Sequence, residues 1–373
     1  MNHLRILERK YVSLRNFFLI SIIYVSVKKM KEELRKIQIT GGATYTVSIP
    51  KKWIKQLGLE AGDFVVLTFN ESGSITIYPK DIREPVKEAI MSISENDDID
   101  KVIREFVAYY VLGYDRIMVK FGPNTIKHRM SLKKVIKNKL IGMELLEETT
   151  SYMIIQSLVK KAEITIPKAV ERLGIIVSFM IDDAIKALID GDKTLAESVI
   201  ERDNDVDRLY YFIVRNLMLI ASRPNLIKEF GFTSLKECLG FRLIIKSIER
   251  AGDHATRIAY VARELGKRAC DDVCDILLEM KDLAKKIFEN AVNALIYKDL
   301  EKAHYVYKMV NEMHSMEKQS VKRLSKIEGD DRRLKLRLVI ESLKRFAEYG
   351  DELAELAIML ALELQAKSIS DER

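Results

Sequence analysis

The chain has 373 residues with 31% charged residues, only 6 prolines and 16 glycines, and a formal net charge of +7. That length exceeds the ~250–300 residues at which one core stops growing, so several folded domains are expected, and the composition excludes a disordered or collagen-like chain. Residues 1–29 hold six Lys/Arg against Glu8 and so carry most of the excess charge, leaving the remainder nearly balanced.

Residues 1–29 read as a leader or tail, with Met30 as the expected biological start. Their apolar run, residues 17–27, is shorter than the ~20 residues a spanning helix needs, so no stable membrane insertion is expected. Residues 30–82 read as a small β domain. The segments "RKIQIT", "TYTVSIP", "DFVVLTF" and "SITIYP" are β-rich, broken by Gly41-Gly42, by a short helical turn over residues 51–57 and by a hairpin turn at residues 71–73. So short a unit buries little apolar surface, and dimerisation is the expected remedy.

Residues 83–162 read as a two-layer α/β domain of unassigned role: a helix over 98–113, a strand over 116–121, a helix over 125–138, then strands near 141–147 and 152–157. The segment 120–139 carries seven Lys/Arg and no acid, a pattern that suits a DNA footprint, an anion at the helix start near Asn124 and Thr125, or a solvated helix.

From Pro167 the apolar period becomes 3.6 and stays so, giving six helices. They repeat: "ALIDGDKTLA" from Ala187 matches "ALIYKDLEKA" from Ala294, and "ERAGDHATRIA" from Glu249 matches "AEYGDELAELA" from Ala347. Two tandem three-helix bundles follow, over 163–268 and 269–373. The fold class is therefore multidomain and mainly α. The three cysteines, Cys238, Cys270 and Cys274, lack CxxC spacing, so free thiols and a reducing, cytoplasmic location are expected.

The first bundle carries two acidic pairs at i,i+4, Asp203 with Asp207 and Glu249 with Asp253. Each pair lies on one helix face, and antiparallel packing brings four carboxylates into a layer that needs a cation. Gly252, costing about 1 kcal/mol of helix propensity, and its counterpart Gly350 suggest a close approach of a neighbouring helix or a ligand. His254 points about 100° from Asp253 and reads as a surface or partner-facing residue. Oxygen-rich sites of this kind suit Mg, Ca, Mn, Fe or Zn ions, among which the sequence does not distinguish. A solvated acidic face is the competing reading.

The motifs "IERDNDVDRL" and "ERAGDHATRIA" resemble the two signatures of the PhoU family of phosphate-signalling regulators. The resemblance, over residues 167–366, implies a metal-binding body that restrains uptake through a phosphate ABC transporter ATPase, with Asp203, Asp207, Glu249 and Asp253 at the metal positions. The equivalent positions of the second repeat are Val310, His314, Ala347 and Asp351, with Glu312 matching Asp205, which leaves Glu312, His314 and Asp351 as weaker candidates. The segment "GGATYTVSIPKKWIKQLGLEAGDFVVL" looks like the AbrB/SpoVT looped-hinge family, which implies a swapped-hairpin homodimer that binds DNA through Arg35, Lys36, Lys51, Lys52 and Lys55.

Together these resemblances imply a phosphate uptake regulator acting on transcription. The alternatives are an accessory protein that docks on the transporter without binding DNA, and a carboxylate-bridged metalloenzyme. For the enzyme only Glu301-x-x-His304 has suitable spacing, and there is no Walker lysine loop, nucleophile elbow or HExxH, so no enzymatic activity is expected.

Overall fold

The computed structural model describes residues 32–69, 73–80, 86–158, 164–266, 273–327 and 329–371, in two compact units that divide after Glu84. The leader, most of the hairpin turn at 71–73, Cys270 and the boundaries near 82, 162 and 268 lie outside the described residues.

The first unit contains β1 (Gln38–Thr40) paired antiparallel with β2 (Thr44–Thr46), then the short helix α1 (Lys51–Gln56), then the antiparallel pair β3 (Val65–Phe69) and β4 (Ile75–Pro79). No described residue between 32 and 80 is buried. Ile39, Tyr45, Leu67, Phe69 and Ile75 are all more than half exposed, so the two hairpins have no core of their own.

In the second unit, a four-stranded sheet runs in the order β5-β6-β8-β7, with β5 (Glu88–Ile93), β6 (Arg116–Phe121), β7 (Met143–Glu148) and β8 (Tyr152–Ser157). Sequence reasoning misses β5. Glu88, Ala89 and Met91 favour helix, and β5 is an edge strand whose Ile90 is exposed, which blurs the alternation that marks a strand. β5 pairs parallel with β6, and helix α2 (Ile99–Val111) makes the crossover. Helix α3 (Ile126–Lys139) packs beside α2, and both contact the helical body.

That body is two three-helix bundles: α4 (Ile166–Asp190), α5 (Lys193–Ser222) and α6 (Leu235–Leu265), then α7 (Cys274–Tyr297), α8 (Leu300–Leu324) and α9 (Asp330–Asp371). Helices α4 and α6 pack against α7 and α9, so the repeats share one interior. The repeated turn has a local cause in each half. Gly191 and Lys298 end α4 and α7 in the left-handed region, at φ 64° and 53°, and the next residue, Asp192 or Asp299, caps the following helix by accepting from its first-turn amides. Cys274 is disulfide-bonded, contrary to the free thiol expected, whereas Cys238 is free and buried, its thiol pushed up to about 12 by burial.

Both mid-helix glycines admit a helix rather than a ligand. A Cβ on Gly252 would stand 3.3 Å from Val206 Cγ1 on α5 and 3.4 Å from Val177 Cγ2 on α4. On Gly350 it would stand 2.8 Å from Ile287 Cγ2 and 3.3 Å from the Phe288 backbone of α7. Only the second conflict involves backbone, which cannot rotate away. Thermal unfolding should therefore separate the two: Gly350→Ala loses ~1–3 kcal/mol to overpacking, while Gly252→Ala stays near neutral because helix propensity returns ~1 kcal/mol. Equal losses would refute this packing account.

Candidate acidic site and its cations

The site is built on two antiparallel neighbours, α5 and α6, whose apolar stripes meet in the first bundle. Val206, Tyr210 and Ile213 face inward from α5, and Ile245, Ile248, Ala251 and Ala255 from α6. The i,i+4 spacing then sets Asp203 and Asp207 opposite Glu249 and Asp253 at the margin of that core. Glu249 is only 7% exposed, and the other three are half-buried.

The four carboxylates interact with one another. Burial pushes the Asp253 carboxyl well above its usual range, and the neighbouring charges of Glu249, Asp203 and Asp207 push it further. Burial also raises Glu249, against the pull of Lys246. Asp203 accepts a hydrogen bond from Thr256 Oγ1 at 3.3 Å.

The cations are lysines. Lys246, one turn before Glu249 on α6, donates to both of its carboxylate oxygens. Lys139, the last residue of α3, reaches across from the α/β domain and places its Nζ 2.5 Å from Asp207 Oδ2. Burial opposes charge on Lys139, yet Asp207, with Asp203 and Asp253 behind it, more than offsets that and holds its pKa above the usual lysine value. Lys246 is likewise held up, by Glu249 against burial. The oxygen-rich donor set suits a hard divalent ion in chemistry. As arranged, however, ammonium groups occupy it, and among the described residues no three His, Cys, Asp or Glu side chains form a group that could hold a metal.

The α/β domain has a second anchor on the same helix. Arg215 of α5 is buried and donates to the carbonyls of Tyr110 and Tyr114, at 2.6 and 2.9 Å, and to Asp115 Oδ1 at 3.3 Å. Neither Lys139 nor Arg215 is singled out by local spacing, because each acts on a residue 68 or more positions away. The only trace in the sequence is the basic run that ends at Lys139. Much of that run serves internal contacts: Arg129 and Lys133 pair with Glu148 at 3.3 and 2.5 Å, and Thr125 donates to the Gly122 carbonyl rather than facing an anion.

The second repeat keeps the helix arrangement with fewer of the acids. Val310 and Ala347 are buried, Glu312 is exposed, and His314 lies 3.4 Å from Glu348 Oε1. Glu348, which the motif does not mark, also pairs with Arg345 at 2.5 Å and Lys344 at 3.7 Å. Burial raises Asp351. His314 and Asp351 are within electrostatic reach of each other. Glu301 and His304 are both exposed. His254 is buried rather than on the surface, its ring 5.8 Å from that of Tyr349 on α9, and burial lowers its pKa to about 3. It faces the other repeat, the one partner that local reasoning about a single helix leaves out.

Of the expected DNA contacts, Lys51 and Lys55 sit one turn apart on α1 and are exposed, as are Arg35, Lys36 and Lys52. Glu33 pairs with Arg35 and, at 2.6 Å, with Lys52, and the Lys52 bond draws its carboxyl below the usual range.

Residues 170–262 and 277–357 match the model of the PhoU domain, and residues 38–84 that of the antidote-toxin recognition MazE family of bacterial antitoxins. The chain is similar to a phosphate-specific transport system accessory protein PhoU homolog of Clostridium acetobutylicum, 26% identical over 43% of this chain and 72% of that protein. A homolog of the same description from Borreliella burgdorferi is 29% identical over 48% of this chain and 83% of its own length. Among solved structures, PhoU of Pseudomonas aeruginosa aligns with 52% of this chain and 94% of its own, at 21% identity and a TM-score of 0.45.

The raised Asp253 carboxyl fixes a sign. A carboxyl held above its ordinary value contributes most to stability below about pH 4 and loses that contribution as the pH rises through its folded value. Asp253→Asn should therefore raise Tm at pH 7.5 by ~2–4 °C per kcal/mol relieved, with the gain shrinking on acidification. A Tm that falls at pH 7.5 would mean the carboxylate serves a cation stronger than the two lysines.

Proposed function

Two PhoU domains form the helical body of this chain, which belongs through them to the PhoU family, and on that premise we propose that it regulates phosphate uptake as a DNA-binding homodimer. The observation that carries the reading is the joining, on one chain, of a PhoU pair to a MazE-type head that resembles AbrB/SpoVT units. The body acts on a phosphate transport system, as the names of its relatives suggest, and the component it engages in this reading is the ATPase of an ABC transporter. The head brings that state to a promoter. No helix of the described residues is long and apolar enough to cross a membrane.

Dimerisation is supported by the bare hairpins. Exposed Leu67, Phe69 and Ile75 on the β3-β4 hairpin and Ile39 on the β1-β2 hairpin leave apolar surface that a second copy would cover, and exposed apolar patches favour association. The dimer doubles a basic set that is modest in one copy, with Lys51 and Lys55 presented together. The role is regulatory rather than enzymatic, and at the acidic layer Asp207 and Glu249 are held in ion pairs with lysines.

The test is binding to the region upstream of a neighbouring phosphate-transport operon, measured against salt. Lys51→Ala or Lys55→Ala should each flatten the slope of log K against log salt by about one for every phosphate that the ammonium group neutralises. Lys52→Ala should do less, because Glu33 already engages that ammonium. Absence of any such binding by the full chain would favour the second reading, an accessory protein that docks on the transporter and uses its head only to dimerise.

A further inference from the structure

The α/β domain has no place in that function, yet it meets the first bundle at two polar points. One, Arg215, holds the turn after α2 through backbone carbonyls and is a docking contact of ordinary kind. The other, Lys139, does something different, because its partner belongs to the acidic layer. The layer carries four carboxylates, and its cations include Lys246 from within α6, paired with Glu249, and Lys139 from outside the bundle, paired with Asp207. Lys246 is fixed by its own helix, whereas Lys139 arrives only when α3 lies against α5.

We propose that the acidic layer of the first repeat is closed by the chain's own ammonium groups, with Lys139 acting as an electrostatic latch that holds the α/β domain on the bundle and shuts out a divalent cation. Docking and the arrival of Lys139's positive charge at the layer are then one event. Undocking α3 strands Asp207 beside three other carboxylates, and restoring α3 returns the missing positive charge. The second repeat agrees: where Val310 and Ala347 replace the acids, no domain docks through a lysine of this kind among the described residues. A half-buried ion pair of short reach is screened little by salt, so the latch persists at physiological ionic strength.

The test uses the full chain in phosphate-free buffer, with hydrogen exchange read at α3 and Mn²⁺ uptake read by equilibrium dialysis. Lys139→Met should speed exchange at α3 at least tenfold and tighten Mn²⁺ binding at least tenfold, while exchange at α7–α9 stays as in the wild type. Lys139→Arg should restore protection at α3, and Lys137→Met, two residues away and exposed, should change neither readout. If Lys139→Met also loosens α7–α9, Asp207→Asn breaks the same pair from the bundle side and must loosen α3 in turn. Exchange at α3 within twofold of wild type in Lys139→Met and Asp207→Asn alike would overturn the proposal. So would a wild-type chain that takes up one equivalent of Mn²⁺ as tightly as Lys139→Met does. Neither readout involves DNA or transport, so failure here leaves the regulator reading standing, and failure of promoter binding leaves the latch standing.

Discussion

Carboxylates forced together at the edge of an apolar core must be neutralised, protonated or pulled apart, and the architecture of the first bundle follows from the first of these. Removing an ion from water costs several kcal/mol unless a partner of opposite sign meets it at close range. Here two helices fix four acids by spacing alone, and ammonium groups pair with Asp207 and Glu249. The raised Asp253 and Glu249 carboxyls show that the compensation is incomplete, since burial and mutual repulsion still outweigh the lysines. The layer is thus poised: it tolerates its cations and would respond to any change in them.

The second repeat shows which features belong to the scaffold and which to the charge. The left-handed turn at Gly191 and Lys298, the aspartate cap that follows it and the glycine of the third helix recur in both halves. The acids do not. Because Gly252 and Gly350 each admit a neighbouring helix, their recurrence reports bundle packing, and it survives in the half where the carboxylates have been replaced. A glycine inside an acidic motif is therefore no evidence for a bound ion, and the case for a cation rests on the carboxylates themselves.

What the sequence discloses follows the range of the interaction involved. Six helices, their caps and the repeat are set within a few residues and can be read from the apolar period and from Gly191, Asp192 and Asp299. The facing of Asp203, Asp207, Glu249 and Asp253 needs only that two periodic helices pack together. Strand β5 escapes because an edge strand with one exposed face carries helix-forming residues without penalty. Lys139 escapes for a different reason: 68 residues separate it from Asp207, and only the docking of α3 on α5 makes them neighbours. Local spacing misplaces His254, since the face a helix residue occupies is legible but what lies beyond that face is set by the other repeat.

The identity of the cations is the central claim, and anomalous diffraction from crystals of the full chain grown with Mn²⁺ tests it most directly. The account predicts no anomalous peak among Asp203, Asp207, Glu249 and Asp253, with the ammonium groups of Lys139 and Lys246 in hydrogen-bond contact with Asp207 and Glu249. A strong peak coordinated by those carboxylates, with Lys139 still seated against Asp207, would contradict it.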